Sequence, residues 1–466
     1  MGGLFGVVSN QDCVTDLFYG TDYHSHLGTK RGGLAVVNPD GFQRYIHSIE
    51  NAQFRSKFET DISKMKGNMG IGVISDFEDQ PLLIRSHLGD FALATVGVIQ
   101  NIDELTAEAF KSRKSHFSEM GDGTINPTEL VSMLINMGDS IEEGIQIAQD
   151  SIEGSCSMLI LTEKGVYAAR DKLGRTPIII GKKNGSIAAT LETCAFPNLD
   201  YGIEYYLGPG EITFINENEY VQKKPPGKKL QICSFLWVYY GYPASSYEGI
   251  NVETIRNKCG EMLAKRDDCQ IDSVAGIPDS GTGHGLGYAS YSRIPYTRSF
   301  VKYTPTWPRS FMPQNQAVRE IVAKMKLIPV KELISGKKLL FCEDSIVRGT
   351  QLQDTIKRLY DSGAKEIHMR PACPPLIYNC KFLNFSRSSS IFDYAARRAI
   401  REMKGEEFTD FKPYAQAGSE EYDQMIEKIR ERLNLTTLKY QRLEDLVEAI
   451  GLPKNKLCTY CWDGAE

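Results

Sequence analysis

Residues 343–350, with the sequence Glu-Asp-Ser-Ile-Val-Arg-Gly-Thr, combine side chains that suit a phosphorylated ligand. Two adjacent carboxylates, Glu343 and Asp344, end a short apolar run, and a helical pattern begins near Gln351. A buried parallel strand that leads through a loop to a helix N-terminus is the geometry with which α/β proteins hold phosphate groups. The candidate contacts in the loop are Ser345, Ile346, Val347, Arg348, Gly349 and Thr350. The octet therefore predicts a sugar-phosphate site; the alternative is an ordinary strand-loop-helix junction.

A second candidate centre is the pair Cys458 and Cys461 near the C-terminus. Its two-residue spacing suits a redox pair or half of a zinc site, and a chance occurrence stays open. The chain has eleven cysteines at irregular spacing, which does not predict a disulfide scaffold but makes metal or cluster ligation worth testing. Most of the others are predicted to be buried small hydrophobic residues: Cys13, Cys156, Cys194, Cys259, Cys269, Cys342 and Cys373.

The elements that position these residues belong to a large globular chain. Its 466 residues predict two or three domains, and 41% hydrophobic with 24% charged residues is typical of a soluble protein. A net charge of −5 with interspersed signs gives no argument for nucleic acid or a membrane surface as a partner. Because the sequence has no membrane-length apolar run and no secretory signal, we expect a cytoplasmic protein.

The N-terminal half alternates short apolar runs with two helical patterns. Strands are predicted at 69–74, 91–99, 157–162, 166–170 and 176–180, and helices near 127–137 and 141–151. Many strands with helix pairs indicate a layered α+β domain. The Lys- and Pro-containing run 222–229 is predicted to be a linker, which divides the chain at about residue 230.

The C-terminal half begins with an apolar run at 232–240 that predicts a buried strand. A helical pattern follows at about 252–265, and residues 273–281 predict a strand and a glycine-rich turn that contains Asp279, Ser280 and Gly281. This turn is either a ligand-binding loop or a plain βα turn; pairing with the 343–350 loop in a doubly wound sheet favours the former. Between 299 and 326, two prolines flank Trp307, so a loop is predicted there.

The octet at 343–350 closely resembles the phosphoribosylpyrophosphate (PRPP) loop of type I phosphoribosyltransferases, especially that of the glutamine PRPP amidotransferase family. The resemblance implies that Glu343, Asp344 and the following loop hold ribose and 5-phosphate, with magnesium bound through PRPP. It also implies that Asp279, Ser280 and Gly281 accept pyrophosphate. Lys302 and Arg309 match cations of the family's mobile loop, although its Asn-Arg pair and flexible glycine are replaced here.

The N-terminal half resembles the glutaminase domain of the same family, which has the four-layer αββα fold of N-terminal-nucleophile hydrolases. The similarity rests on segments such as 80–83, 192–196 and 207–211. The family's nucleophile is an N-terminal cysteine, whereas this chain has Gly2, which has no side chain with which to attack an amide. Cys13 cannot replace it, because its α-amino group lies within the chain.

The other glutaminase positions are also altered. Where the family has His-Arg-Gly, residues 26–28 are His-Leu-Gly, and the arginine that clamps the substrate carboxylate corresponds to Ser75. The oxyanion-hole asparagine is absent from 95–98, and the aspartate that binds the glutamine amino group corresponds to Pro127. These changes predict a fold that is retained and a glutaminase site that is lost.

The resemblance also bears on the cysteines. Cys233, Cys380, Cys458 and Cys461 match the ligands of a [4Fe–4S] cluster in the cluster-containing branch of the family. Four thiolates from distant segments suit such a cluster, and zinc is the alternative because ligand type does not separate the two.

The resemblance covers the whole chain and implies two domains. Residues 1–230 are predicted to be a degenerate glutaminase-like domain, and 231–466 a type I phosphoribosyltransferase domain with a parallel sheet and a cluster-binding tail. We expect PRPP and magnesium binding and formation of phosphoribosylamine, the purine precursor, from ammonia or another amine. The alternative is a non-catalytic paralogue that senses PRPP or nucleotides or regulates an active amidotransferase. A homo-oligomer (dimer or tetramer) and purine nucleotide effectors are expected from the family.

Overall fold

The structure is a computed structural model that describes residues 2–111, 117, 120–121, 124–303, 327–383 and 394–466. The strands of the N-terminal half are β1 (Gly3–Ser9), β2 (Arg31–Asn38), β3 (Gly41–Ser48), β4 (Met69–Ser75), β5 (Leu82–Ser86), β6 (Gly89–Ile99), β7 (Met120–Gly121), β8 (Thr124–Ile125), β9 (Gly154–Thr162), β10 (Gly165–Ala169), β11 (Ile179–Lys183), β12 (Ser186–Thr190), β13 (Gly202–Tyr206), β14 (Ile212–Ile215) and β15 (Tyr220–Lys224). Its helices are α1 (Val14–Asp22), α2 (Phe54–Ile62), α3 (Ile102–Lys111), α4 (Pro127–Ile135) and α5 (Ile141–Ser151).

Two stacked antiparallel sheets form the centre of this half. One has the order β13-β11-β12-β1-β4-β2-β3 and the other β15-β14-β10-β9-β6-β5. Strand side chains alternate between faces, so Leu159 of β9 packs between the sheets while Ile160 packs against α4 and α5. The outer face of the first sheet packs against α1 and α2, through residues such as Phe54. The predicted αββα layering is therefore present.

The C-terminal half contains a parallel sheet and smaller pairs of strands. Its strands are β16 (Ile232–Cys233), β17 (Ser246–Tyr247), β18 (Ile250–Asn251), β19 (Ser273–Gly276), β20 (Phe300–Lys302), β21 (Leu327–Pro329), β22 (Lys338–Glu343), β23 (Glu366–Pro371), β24 (Thr437–Leu438) and β25 (Leu457–Cys458). Its helices are α6 (Val252–Lys265), α7 (Thr282–Ser292), α8 (Lys331–Ile334), α9 (Thr350–Asp361), α10 (Ala395–Lys404), α11 (Glu420–Arg432), α12 (Leu443–Ile450) and α13 (Tyr460–Asp463). The parallel sheet has the order β19-β22-β23-β24.

Most predicted elements are present, and two interpretations were wrong. The run 232–240 is not one strand: after β16, residues Leu236–Tyr240 form a π-helical turn closed by a Gly241 N–H to Leu236 carbonyl bond of 2.8 Å. A short apolar run suits either state, and tertiary packing decided for the turn. The run 222–229 is not wholly linker, because residues 222–224 extend β15. No helix in the described ranges is long and apolar enough to cross a membrane.

Candidate functional site

The two candidate ligand loops lie side by side at one edge of the parallel sheet. We call residues 343–350 the phosphate loop and residues 277–281 the pyrophosphate loop. They follow β22 and β19, which are parallel neighbours with Gly276 opposite Cys342. The Ile277 N–H donates to the Cys342 carbonyl at 3.0 Å. A Cβ added at Gly281 would lie 2.4 Å from the same carbonyl oxygen, so the close approach of the loops requires glycine there.

The acid pair of the phosphate loop is linked to both loops by hydrogen bonds. Ser280 Oγ donates to Glu343 Oε1 at 3.3 Å, and the Asp344 N–H donates to the same oxygen at 3.1 Å. Ser345 Oγ donates to Asp344 at 2.5 Å. Burial raises the pKa of both carboxyls, and the charge of Asp344 raises the pKa of Glu343 further. The pair therefore favours ligands that donate hydrogen bonds or bring positive charge.

The rest of the phosphate loop divides into anchors and exposed groups. Ile346 is buried in the core beneath the sheet, and Val347 packs partly against the larger core. The Val347 carbonyl accepts from the Ala395 N–H at 2.8 Å, and the Arg348 carbonyl accepts from the Arg398 guanidinium. Gly349 has a φ of +74° where the loop enters α9. Ile346 and Val347 thus shape the loop, whereas Arg348 and Thr350 are exposed at the surface.

The pyrophosphate loop carries a cation at its outer side. Lys302, the last residue of β20, forms an ion pair with Asp279, whose side chain is 71% exposed. The antiparallel partner of β20 is β21, which holds Lys302 next to the loop. Arg309 lies outside the described residues. The structure thus brings Lys302, Asp279 and the acid pair to one edge of the sheet, as predicted.

Arg256 was not identified from the sequence as a site residue. This buried side chain of α6 donates to the carbonyls of Trp237, Tyr239 and Gly241 at 2.9–3.2 Å. Its charge also acts on Asp344 and opposes the rise that burial imposes on the pKa of that carboxyl. No local sequence pattern identifies Arg256 as a site residue. Asp344 is distant from it in sequence, and the carbonyls that it contacts are brought together by the π-helical turn.

Position 2, where the family resemblance places a nucleophile, is closely packed. Gly2 is buried, and a Cβ built there would lie 2.5 Å from the Ile74 carbonyl oxygen and 3.1 Å from Val96 Cγ2. Contacts below 3.0 Å to backbone atoms require the backbone to move. A larger residue at position 2 therefore cannot be accommodated by a change of side-chain rotamer alone.

The other positions that the family resemblance assigns to the glutaminase site make contacts that support the fold. Leu27 is buried in the core, where an arginine is expected from the family. The Thr95 N–H donates to Gln80 Oε1 at 2.7 Å, and Asn126 caps α4 by accepting from the Thr128 N–H at 2.9 Å. Pro127 occupies the first turn of that helix, where its missing N–H costs little. These residues make structural contacts at positions where the family resemblance implies charged or amide side chains.

A buried carboxylate joins the two halves of the chain. Glu192 accepts from Tyr247 Oη at 2.8 Å and from Ser245 Oγ at 3.0 Å, and His26 Nε2 lies 3.0 Å away. Burial by itself would raise the pKa of Glu192, but His26, His24 and Tyr247 outweigh it and lower that pKa to about 2. Glu192 thus holds residues on both sides of position 230 together in its charged form.

Replacing Glu192 with glutamine should lower the free energy of unfolding at pH 7 by about 3 kcal/mol, since it removes the charge of a buried, hydrogen-bonded group. The pKa of Glu192 is depressed by folding, so its contribution is present above its ordinary value of 4.5 and is lost as the pH falls toward 2. The difference between the proteins, measured by urea unfolding at several pH values, should shrink over that interval. The exposed Glu204→Gln is the control, and a pH-independent difference would contradict the assignment.

The four candidate metal-ligating cysteines converge on one cavity. Cys233 on β16 lies opposite Cys458 on the parallel strand β25. A small cavity, partly open to solvent, is lined by all four of these residues: Cys233, Cys380, Cys458 and Cys461. The Phe382 and Leu383 N–H groups donate to Cys380 Sγ at 3.5 and 3.4 Å. Within the described ranges, no three His, Cys, Asp or Glu side chains are arranged around a single-ion position.

The other cysteines are free thiols that mostly match the prediction. Six of them are buried: Cys13, Cys156, Cys194, Cys259, Cys342 and Cys373. Cys269 is the exception, because it is partly exposed and its Sγ lies 3.2 Å from His368 Nδ1. The interpretation of Cys269 as a buried residue was therefore wrong. It lies after the C-terminal end of α6, where the chain returns to the sheet edge.

Comparisons with known proteins agree with this architecture. Residues 68–196 match the family described as a glutamine amidotransferase domain. An amidophosphoribosyltransferase of Methanocaldococcus jannaschii is 30% identical, and the alignment covers 100% of this chain and 97% of that protein. An amidophosphoribosyltransferase of Bacillus subtilis is 29% identical, with 87% of this chain and 85% of the relative covered.

Solved structures give the same result. Glutamine PRPP amidotransferase from B. subtilis, complexed with ADP and GMP, superposes with a TM-score of 0.85 at 26% identity, covering 99% of this chain and 96% of that one. A structure described as the allosteric regulatory enzyme of purine biosynthesis superposes with a TM-score of 0.84, also at 26% identity, covering 99% and 95%. The full-length similarity in sequence and fold shows that this chain belongs to the amidophosphoribosyltransferase family.

Proposed function

We propose that this protein binds PRPP at the phosphate and pyrophosphate loops and uses ammonia or another amine, not glutamine, as the nitrogen donor. The observation that carries the proposal is the contrast between two sites. The acid pair and the adjoining loops keep a connected geometry, whereas position 2 has no nucleophile and no room for a Cβ. The proposal divides the chain at about residue 230. The two large sheets support this division, because all their strands lie before that residue and the last of them, β15, ends at Lys224.

The residues of the acid pair suit the ribose of PRPP. Glu343 and Asp344 accept hydrogen bonds from its hydroxyls, and the exposed side chains of the phosphate loop, with the N-terminus of α9, hold the 5-phosphate. Lys302 leaves its ion pair with Asp279 to stabilise the departing pyrophosphate. The amine lone pair forms the new C1–N bond as the C1–O bond breaks and its electrons leave with pyrophosphate. The amine then loses a proton to solvent.

Magnesium fits the chemistry of this site. Carboxylate and phosphate oxygens are the ligands that Mg²⁺ prefers, and Glu343 and Asp344 would hold it through PRPP. When bound, the ion neutralises charge on the pyrophosphate. The pyrophosphate loop residues Asp279, Ser280 and Gly281 complete the leaving-group side of the site.

An assay with two nitrogen donors tests the proposal. The purified protein is supplied with PRPP, Mg²⁺ and either glutamine or an ammonium salt, and pyrophosphate release is followed. Release with ammonium alone is the expected result, and release supported by glutamine would overturn the loss of glutaminase function. If PRPP binds but pyrophosphate is released with neither donor, the result would instead support a non-catalytic sensor. That alternative is favoured by the loop after Lys302, where the family's Asn-Arg pair and glycine are replaced.

PRPP binding should tighten as the pH rises. Because the pKa of both carboxyls is raised in the free protein, the acid pair still carries a proton at pH values above the ordinary Glu value of 4.5. Binding of hydroxyl donors or of a cation favours the charged form and therefore releases that proton. The Kd for PRPP, measured by calorimetry in several buffers, should therefore fall between that value and the raised pKa, with net proton release. The Glu343→Gln variant should show a flatter profile, and an equally steep one would contradict the role of the pair.

We further propose that Cys233, Cys380, Cys458 and Cys461 hold a [4Fe–4S] cluster, with zinc as the alternative. Zinc is also bound by four cysteine sulfurs, so ligand type alone does not separate the two. A cluster binds four thiolates at once, and all four cysteines line one shared cavity. The N–H groups that face Cys380 are typical of a thiolate ligand. Iron and sulfide analysis of anaerobically purified protein tests the assignment, and zinc without iron would overturn it.

A further inference from the structure

The cavity of the four cysteines contains one residue from the N-terminal half. Arg175 lies between β10 and β11, is 4% exposed, and lines the cavity beside Cys233, Cys380 and Cys458. Its guanidinium lies over the Phe382 ring at 3.5 Å and interacts with the Cys458 side chain. A permanently charged group is thus placed against the sulfur atoms by a segment that precedes them by more than fifty residues.

The side-chain hydrogen bonds of Arg175 do not neutralise the charge of its guanidinium. Nη1 donates to the Gly154 carbonyl and Nη2 to Gln231 Oε1, both at 3.4 Å, the upper limit for such bonds. Nε is buried and has no hydrogen-bond partner among the described residues. The charge of Arg175 acts on the Glu466 carboxylate, but no carboxylate of the described residues forms a direct ion pair with it. A buried guanidinium without an anionic partner is costly, which indicates that negative charge belongs in the cavity.

We propose that Arg175 balances the negative charge of a metal–thiolate centre at the four cysteines, so that the glutaminase-like half helps to hold this centre; the inference rests on the proposed metal site. Four thiolates around a cationic core keep a net negative charge, and a neighbouring guanidinium offsets it in a medium of low dielectric constant. Partners outside the first ligand shell commonly change metal affinity 10- to 100-fold when they are removed. Arg175 is therefore a positioning residue for the centre rather than a ligand.

Three variants of the full-length, metal-loaded protein test this role. Arg175→Met removes the charge and the donors, Arg175→Gln removes the charge but keeps a donor for the Gly154 carbonyl, and Arg175→Lys keeps the charge. The rate of metal loss to a chelator is measured by absorbance and metal analysis. We expect about 10- to 100-fold faster loss from the Met and Gln variants and a rate near that of the wild type for Lys. For an iron cluster, the neutral variants should also have a more negative reduction midpoint potential.

Thermal unfolding separates this role from a purely structural one. If Arg175 acts on the metal centre, Arg175→Met and Arg175→Gln should destabilise the metal-loaded protein more than the metal-free protein. Equal destabilisation of both forms, or unchanged rates of metal loss, would overturn the inference while leaving the metal site intact. Wild-type protein that carries no iron or zinc would instead overturn the proposed metal site, and this inference with it.

Discussion

Substituting cysteine for Gly2 is expected to leave the protein without glutaminase activity. The new Cβ would lie 2.5 Å from the Ile74 carbonyl oxygen, so a thiol cannot take the position of the family nucleophile without a shift of β4. The family resemblance also places Ser75 where a carboxylate clamp is expected and no amide donor at 95–98, and one oxyanion donor alone contributes about 10²–10³ in kcat. Restoring the nucleophile therefore supplies one part of a site that needs several.

The measurement is glutamate release from glutamine by the Gly2→Cys protein, with removal of Met1 verified by mass spectrometry. The wild type sets the background. Gly202→Cys controls for a new thiol, because this exposed residue of β13 has the Lys182 carbonyl oxygen, at 3.8 Å, as the nearest atom to an added Cβ. Thermal unfolding should show destabilisation of Gly2→Cys by the backbone contact. Glutamate release above the level of both controls would contradict our account of the pocket.

The second large effect concerns Asp344. Replacing it with asparagine should weaken PRPP binding about 100-fold, because charge-assisted hydrogen bonds to the ribose contribute about 1.5–3 kcal/mol each. Asp344 is buried, contacts Ser345 and is acted on by the charge of Arg256. The substitution keeps the shape of the side chain and removes its charge.

The design includes a stability readout and a matched control. Because burial raises the pKa of Asp344, the Asn variant should not be less stable than the wild type at pH 7 in the absence of PRPP. Asp354→Asn, on the exposed side of α9, should leave the Kd for PRPP unchanged. The Kd is measured by calorimetry with Mg²⁺ present. Equal affinity of Asp344→Asn and Asp354→Asn would show that the ligand binds elsewhere.

Local patterns in the sequence were sufficient for several elements. The helix at 252–265, the strand that leads into the phosphate loop and the start of the helix after it lie within one or two residues of their expected positions. Apolar periodicity and turn residues are local properties, so they predict an element and the loop that follows it. The strand predicted at 232–240 was wrong because a short apolar segment is compatible with either a strand or a helical turn.

By itself, the sequence determined the identity and order of the chemical groups: the acid pair that begins the phosphate loop, the missing side chain at position 2 and four cysteines in three separate segments. Only the tertiary structure decided which groups meet. It brings Arg256 near enough for its charge to act on Asp344, joins Glu192 to Tyr247 by a hydrogen bond, and places Arg175 and Cys458 in the lining of one cavity. These pairs join residues that are 55 to 283 positions apart. Such contacts depend on how sheets and helices pack, and burial then sets the pKa and charge balance of each group, which no local pattern encodes.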